Sequence, residues 1–232
     1  IIKIFIHRLK YISQNKSIYF YGYINSNMIK KITIIGSGNV ATQFGLAFKQ
    51  VNIEIVQIIS RNKQSGKQLA KKINTSFSYS FKKILNTDLI IICVNDDEIK
   101  NVIKKLPDYP MAHTSGSTDI TIFRKQKIYG VLYPLQSLNK EIRIDFQNIP
   151  ICIEANTRKL QNHLHYIANK ISKNVIALNS SKRKHLHLAA VIASNFSNFS
   201  YLMAKKHLTE HEIDFSLLKP LIMHSAKKIL TN

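Results

Sequence analysis

The segment Ile32-Thr33-Ile34-Ile35-Gly36-Ser37-Gly38-Asn39-Val40-Ala41 constrains the fold of this chain more than any other. A β-branched run feeds directly into G-x-G-x-x-A, and an apolar stretch with Phe44, Leu46, Ala47 and Phe48 follows. The order reads strand, tight turn, helix. At a dinucleotide pyrophosphate the first glycine permits the turn, the second lets the backbone approach the phosphates, and Ala41 lets the helix pack close on the strand. The free N–H groups of the first helical turn then face the diphosphate. Gly36, Ser37, Gly38, Asn39 and Val40 are thus the expected phosphate-binding residues. Two other readings exist for such a turn: a glycine-rich βα connection that binds nothing, and a methyltransferase turn. The latter usually carries an acid just before the glycines, where this chain has Ile34 and Ile35.

Downstream, strand-like and helix-like patterns alternate. Strands are expected over 32–35, 53–59, 88–94, 111–113, 128–132, 149–154 and 174–178, and helices over 39–50, 63–73, 80–85, 98–106, 118–125 and 158–172. The strand segments are nearly continuous apolar runs, as in a parallel sheet covered on both faces. After residue 179 the pattern becomes purely helical. Leu188, Val191, Ile192, Phe196, Phe199, Leu202 and Met203 fall on one stripe of a helix spanning about 181–207, and a second helix is expected over 215–230. The expected fold class is α/β: a doubly wound, mostly parallel Rossmann sheet over 28–178, followed by a smaller all-α domain over 179–232. Residues 1–27, rich in Tyr and Ile but without a clean signal-peptide pattern, are expected to lie outside the fold.

Hydrophobic residues make up 45% of the 232 residues and charged ones 20%, which places the chain among globular proteins. No apolar run has the length of a membrane span, so no membrane partner is expected. Cys93 and Cys152 each sit inside an apolar strand-like run. They read as buried hydrophobes in a reducing, cytoplasmic setting, with neither a disulfide nor a metal site. The net charge is +21, with one acid (Glu54) in residues 1–87 and none in 155–209. Such a balance is a possible nucleic-acid footprint. The cations are scattered, however, and Lys, Ile and Asn are abundant together, as compositional drift in an AT-biased genome produces. No specific nucleic-acid partner is expected, and a small anionic substrate or cofactor accounts for a few of the charges.

Ser60-Arg61-Asn62 ends the second strand, where NAD-specific proteins place an acid on the ribose hydroxyls. A hydroxyl and a guanidinium there suit a 2′-phosphate, so NADP is expected over NAD, the alternative being that Arg61 is a solvated loop charge. Val94, Asn95 and Asp96 end the next central strand and are placed at the cofactor ribose; Asp97 equally reads as a cap of the following helix. His113 stands at another strand end, either as an acid–base group or as part of a polar loop that caps a helix. Tyr133 to Ser137 could wall the cleft. His187 and Asn195 lie two helical turns apart on the apolar stripe, facing an inter-domain cleft or satisfied within a core. His113, His187 and Asn195 are the candidate catalytic residues, and no spacing suggests a metal site.

In order along the chain, GSGNVATQFG, IISRN, IICVNDDEI, AHTSGS, YGVLYPLQSL, IPICIEAN and HLHLAAVIASNFSNF resemble the Rossmann-like NADP-binding family with a C-terminal domain of unknown function, number 2520. That family is related to pyrroline-5-carboxylate reductase and to deazaflavin-dependent NADP oxidoreductases. The resemblance covers residues 30–228. It implies an NADP-binding domain followed by a helical domain that often forms a homodimer. Two departures are visible. Related hydroxyacid dehydrogenases carry a catalytic Lys one turn before an Asn, where this chain has Val191 before Asn195; Lys184 is the nearest lysine on chain order. The family's helical domain also runs further, through a Gly-Pro segment, so the domain is expected to be truncated here. The expected activity is NADP-dependent oxidoreduction of a small carbonyl, imine or hydroxy acid. The alternative is a non-catalytic NADP-binding regulatory or scaffold protein.

Overall fold

The computed structural model describes residues 29–231; the expected extension over 1–27 lies outside the described residues. Eight strands form one sheet: β1 (Lys31–Ile35), β2 (Glu54–Ile59), β3 (Ser76–Ser78), β4 (Leu89–Ile92), β5 (Met111–His113), β6 (Tyr129–Pro134), β7 (Ile151–Ala155) and β8 (Val175–Ala177). Their order is β3-β2-β1-β4-β5-β6-β7-β8. Every neighbouring pair is parallel except β6 and β7. The chain direction across the sheet reverses between β1 and β4, the switch point at which doubly wound sheets bind ligands beyond their carboxyl ends.

The central strands are apolar on both faces because both are covered. Every residue of β4 is fully buried. One face packs against α1 (Asn39–Gln50), α2 (Lys63–Ile73) and α4 (Arg158–Ile171), with Phe44 stacked on Phe48 at 5.4 Å and on Phe146 at 5.5 Å. The other face packs against α3 (Asp96–Ile103) and Phe123. Helix α2 starts at Asn62, whose side chain accepts the Ser65 N–H, and ends at Asn74 in the left-handed region at φ 58°. Asp88, just before β4, accepts the backbone N–H groups of Lys30 and Lys31 at 2.8 and 2.9 Å, which fixes the entry of β1.

Two local expectations fail, and one strand goes unread, for identifiable reasons. Residues 80–85 form no helix, because side chains hold that backbone in another conformation. Gln57 accepts the Leu85 N–H and donates to the Lys83 carbonyl, while Ser80 Oγ accepts the Lys82 N–H. The helix expected over 118–125 shrinks to a 3₁₀ turn at Ile120–Phe123, capped by Asp119. The edge strand β3 went unread, since Ser76-Phe77-Ser78 is short and mostly polar.

The chain divides into two compact units, the second beginning at His185. Strand β8 and the start of α5 (Ser180–Val191) belong to the first unit, where Ser180 and Arg183 are buried. The second unit contains the remainder of α5, a π-helical turn at Ile192–Phe196, α6 (Ser197–Glu210), a 3₁₀ turn at Phe215–Leu218 and α7 (Lys219–Thr231). None of its described residues is fully buried. Among the described residues no helix is long and apolar enough to cross a membrane.

Candidate functional site: a dinucleotide cleft at the sheet switch point

Two backbone bonds lock the turn after β1 at the switch point. Gly36 N–H donates to the Ile59 carbonyl at 2.8 Å, and Cys93 N–H donates to the Ile35 carbonyl at 2.7 Å. The two glycines of the turn have separate reasons to be glycine. Gly36 sits at φ +121°, and a Cβ there would lie 2.1 Å from the Cys93 carbonyl oxygen, so the fold itself demands glycine. Gly38, which precedes α1, has ordinary dihedrals, and a Cβ built on it meets nothing within 4 Å. The fold leaves that space open, above the first turn of a helix that has no side-chain cap and no acid in its first turn. Bare N–H groups beside a free surface suit a diphosphate. Ala41 is fully buried against the sheet, as expected from its place in the motif.

A cleft of about 310 Å³ opens here. Gly36, Ser37, Gly38, Ser60, Arg61, Asn62, Val94 and Asn95 all line it. Asn39, Val40 and Asp96 do not. Asn39 Oδ1 accepts the Lys140 N–H, which ties the helix start to the loop after β6, and Asp96 accepts the Ser117 hydroxyl. Helix α3 is capped at Asn95, so Asp97 is a first-turn residue rather than the cap.

Sequence reasoning missed four polar residues of this cleft and its rim: Ser65, Glu98, Asn101 and Lys105. Ser37 Oγ lies 2.7 Å from both Ser60 Oγ and Ser65 Oγ, which forms a chain of three hydroxyls. Glu98, Asn101 and Lys105 reach the cleft from α3 and the turn after it. Arg61 pairs with Glu98, Nη1 to Oε2, at 2.8 Å. Helical residues that arrive from another part of the chain leave no local motif.

The candidate catalytic residues fare differently. His113 is fully buried and stacks on Phe123 at 5.5 Å. Its Nδ1 accepts the Ser115 N–H at 3.2 Å, which places the ring proton on Nε2; Nε2 has no partner among the described residues. Burial first, and then the Arg183 charge, lower its pKa to about 3. Burial thus favours the neutral ring, and His113 does not line the cleft. Tyr133 is also buried, and burial raises its pKa to about 12; residues 133–137 do not line the cleft. In the helical unit His187 is half-buried and Asn195 is exposed within the π turn, so neither is a core residue. The apolar stripe around them is exposed as well, with Leu188 at 56% and Phe199 at 59%.

A buried network next to His113 escaped the sequence reading. Arg183, with no exposed side-chain surface, pairs with Glu154 and donates to the Thr118 carbonyl at 2.6 Å and to Ser180 Oγ at 3.1 Å. Ser180 donates to Glu154 at 2.8 Å and accepts the Ile120 N–H. Lys184, one residue on, stays exposed and pairs with Asp119.

Fold and cleft together define a Rossmann-type dinucleotide-binding protein. Residues 31–115 match the family described as NADP oxidoreductase coenzyme F420-dependent, and residues 149–232 match Domain of unknown function (DUF2520). Protein BF3122 of Bacteroides fragilis, whose crystal structure is described as that of a candidate NADP oxidoreductase, is 31% identical with a TM-score of 0.80, over 86% of this chain and 80% of that one. The pyrroline-5-carboxylate reductase of Aquifex aeolicus (strain VF5) is 28% identical over 102 residues, which is 43% of this chain and 38% of that protein's length. A reductive aminase from Aspergillus terreus, solved with NADPH and ethyl-5-oxohexanoate, shares the fold at 12% identity, with a TM-score of 0.68 over 87% of this chain and 74% of that one. The chain belongs to the family of Rossmann-fold NADP oxidoreductases that join these two segments.

Proposed function

We propose that this protein is an NADP-dependent oxidoreductase acting on a small carbonyl, imine or hydroxy acid. The observation that carries the reading is the cleft at the switch point. It has a glycine the fold does not require, uncapped helical N–H groups beside it, and a guanidinium instead of an acid at the end of β2. In this reading Gly36, Ser37 and Gly38 hold the diphosphate, Ser60, Arg61 and Asn62 hold the 2′-phosphate, and Val94 and Asn95 border the nicotinamide-side ribose. NADPH, when bound, supplies the hydride, and the chain binds, orients and shields. His187 and Asn195 are the residues to test for contact with substrate. The π turn that carries Asn195 is a distortion often kept at functional sites. Relatives named for reducing pyrroline-5-carboxylate and for reductive amination make the imine the first substrate class to try. We also propose that the helical unit pairs with a second copy of the chain through Leu188, Ile192, Phe196, Phe199 and Leu202, all more than half exposed.

The test is cofactor choice. A charge-assisted hydrogen bond contributes roughly 1.5–3 kcal/mol. Arg61→Ala should weaken NADPH binding about tenfold to a hundredfold and leave NADH binding nearly unchanged. Equal weakening of both would place Arg61 on the shared diphosphate or in a supporting role. A wild type that prefers NADH would contradict the reading.

A further inference from the structure

We propose that Glu98 is a specificity-determining residue of the cleft: its carboxylate holds Arg61 across the adenosine end and sets how strongly a 2′-phosphate is preferred over bare ribose hydroxyls. The inference deepens the NADP reading and rests on it. The end of β2 carries no acid, but the folded chain brings one to the same place from α3, and Glu98 Oε2 sits 2.8 Å from Arg61 Nη1. Both side chains line the cleft, together with Ser60 and Asn62.

The first turn of α3 holds three acids, and they point to different ends. Asp96 is engaged by the Ser117 hydroxyl, and Asp97 does not line the cleft. Glu98 alone of the three enters it, with its side chain 31% exposed against 66% for Arg61. An exposed ion pair of this kind contributes little to stability. Its consequence is electrostatic. A 2′-phosphate carries more charge than a carboxylate and takes a guanidinium bidentately, so it displaces Glu98 from Arg61. It does so against the lost pair and against a neighbouring negative charge. Ribose hydroxyls need no such displacement, and they meet in Glu98 the acceptor that NAD-type sites place at the end of β2. The cleft therefore holds the elements of both recognition modes, with Glu98 restraining the preference that Arg61 confers.

The experiment is calorimetric titration of the full chain with NADPH and with NADH, for wild type, Glu98→Gln, Arg61→Ala and the double variant. Glu98→Gln keeps the shape and removes the charge. It should tighten NADPH binding about threefold to tenfold and leave NADH unchanged or weaker, so that the NADPH-to-NADH ratio rises. In the Arg61→Ala background the gain from Glu98→Gln should shrink, because there is no longer a guanidinium to release. An unchanged ratio in folded Glu98→Gln, or an equal gain with and without Arg61, overturns the inference and leaves the NADP reading standing. If the wild type binds neither dinucleotide, both fall together.

Discussion

The two compact units of this chain solve opposite problems. The Rossmann unit covers both faces of its sheet, and its central strands are fully buried. In the helical unit no described residue is fully buried, while Phe196, Phe199, Leu202 and Met203 remain 48–62% exposed. The first unit supplies its own apolar partners. The second has an amphipathic pattern and no core of its own to receive it. A helical period in sequence thus says which residues want cover, but not whether the same chain provides it.

The largest effect that sharpens this contrast lies where the first unit is most committed. Arg183→Ala leaves Glu154 without its guanidinium in a largely enclosed site, and removing one partner of a buried pair typically costs about 3–5 kcal/mol. Denaturant unfolding should show a loss of that size. A loss under about 1 kcal/mol would mean that the network is not the clamp it resembles.

The helical unit should respond in association, not in folding. Burying one phenylalanine contributes about 1.5–3 kcal/mol, and a carboxylate in its place adds a desolvation cost. Phe199→Glu should therefore weaken self-association at least a hundredfold in sedimentation and change monomer stability little. A wild type that stays monomeric at high concentration would break this side of the comparison.

A smaller effect concerns acid. The folded pKa of His113 is about 3, below its unfolded value of 6.5, so the unfolded chain binds the extra proton between those values. Stability contributed by the neutral ring is complete above pH 6.5 and is lost as pH falls toward 3, with roughly 2 kcal/mol gone by pH 5. His113→Asn keeps an acceptor near the Ser115 N–H and should flatten that part of the stability–pH curve. An unchanged slope would assign the acid sensitivity elsewhere.

The legibility of the fold follows the same division. The glycine turn, α1, α2, β1, β4 and β5 were readable because one local rule governs each. These rules are a β-branched run, a 3.6-residue period and a glycine where φ must be positive. Residues 80–85 were misread as helix because Gln57, distant in sequence, decides that backbone. Arg183 was invisible in Ser-Ser-Lys-Arg-Lys-His, a run that reads as solvated. Only the tertiary placement of Glu154 and Thr118 buries one cation and leaves its neighbours in water. In the cleft, the strand ends carried a signal, whereas Ser65 and Glu98 arrive from helices and Lys105 from the turn after α3. His113 was correctly placed at a strand end, but sequence could not show that its ring turns into the core.

The most direct test of the central claim uses Gly38. Its Cβ space is empty, so the fold does not need glycine there, and only a ligand close to the backbone would. Gly38→Val should keep the melting temperature near that of wild type while NADPH affinity falls at least tenfold, about 1.4 kcal/mol or more. A folded Gly38→Val protein that binds NADPH as tightly as wild type would contradict the assignment of this cleft to the dinucleotide.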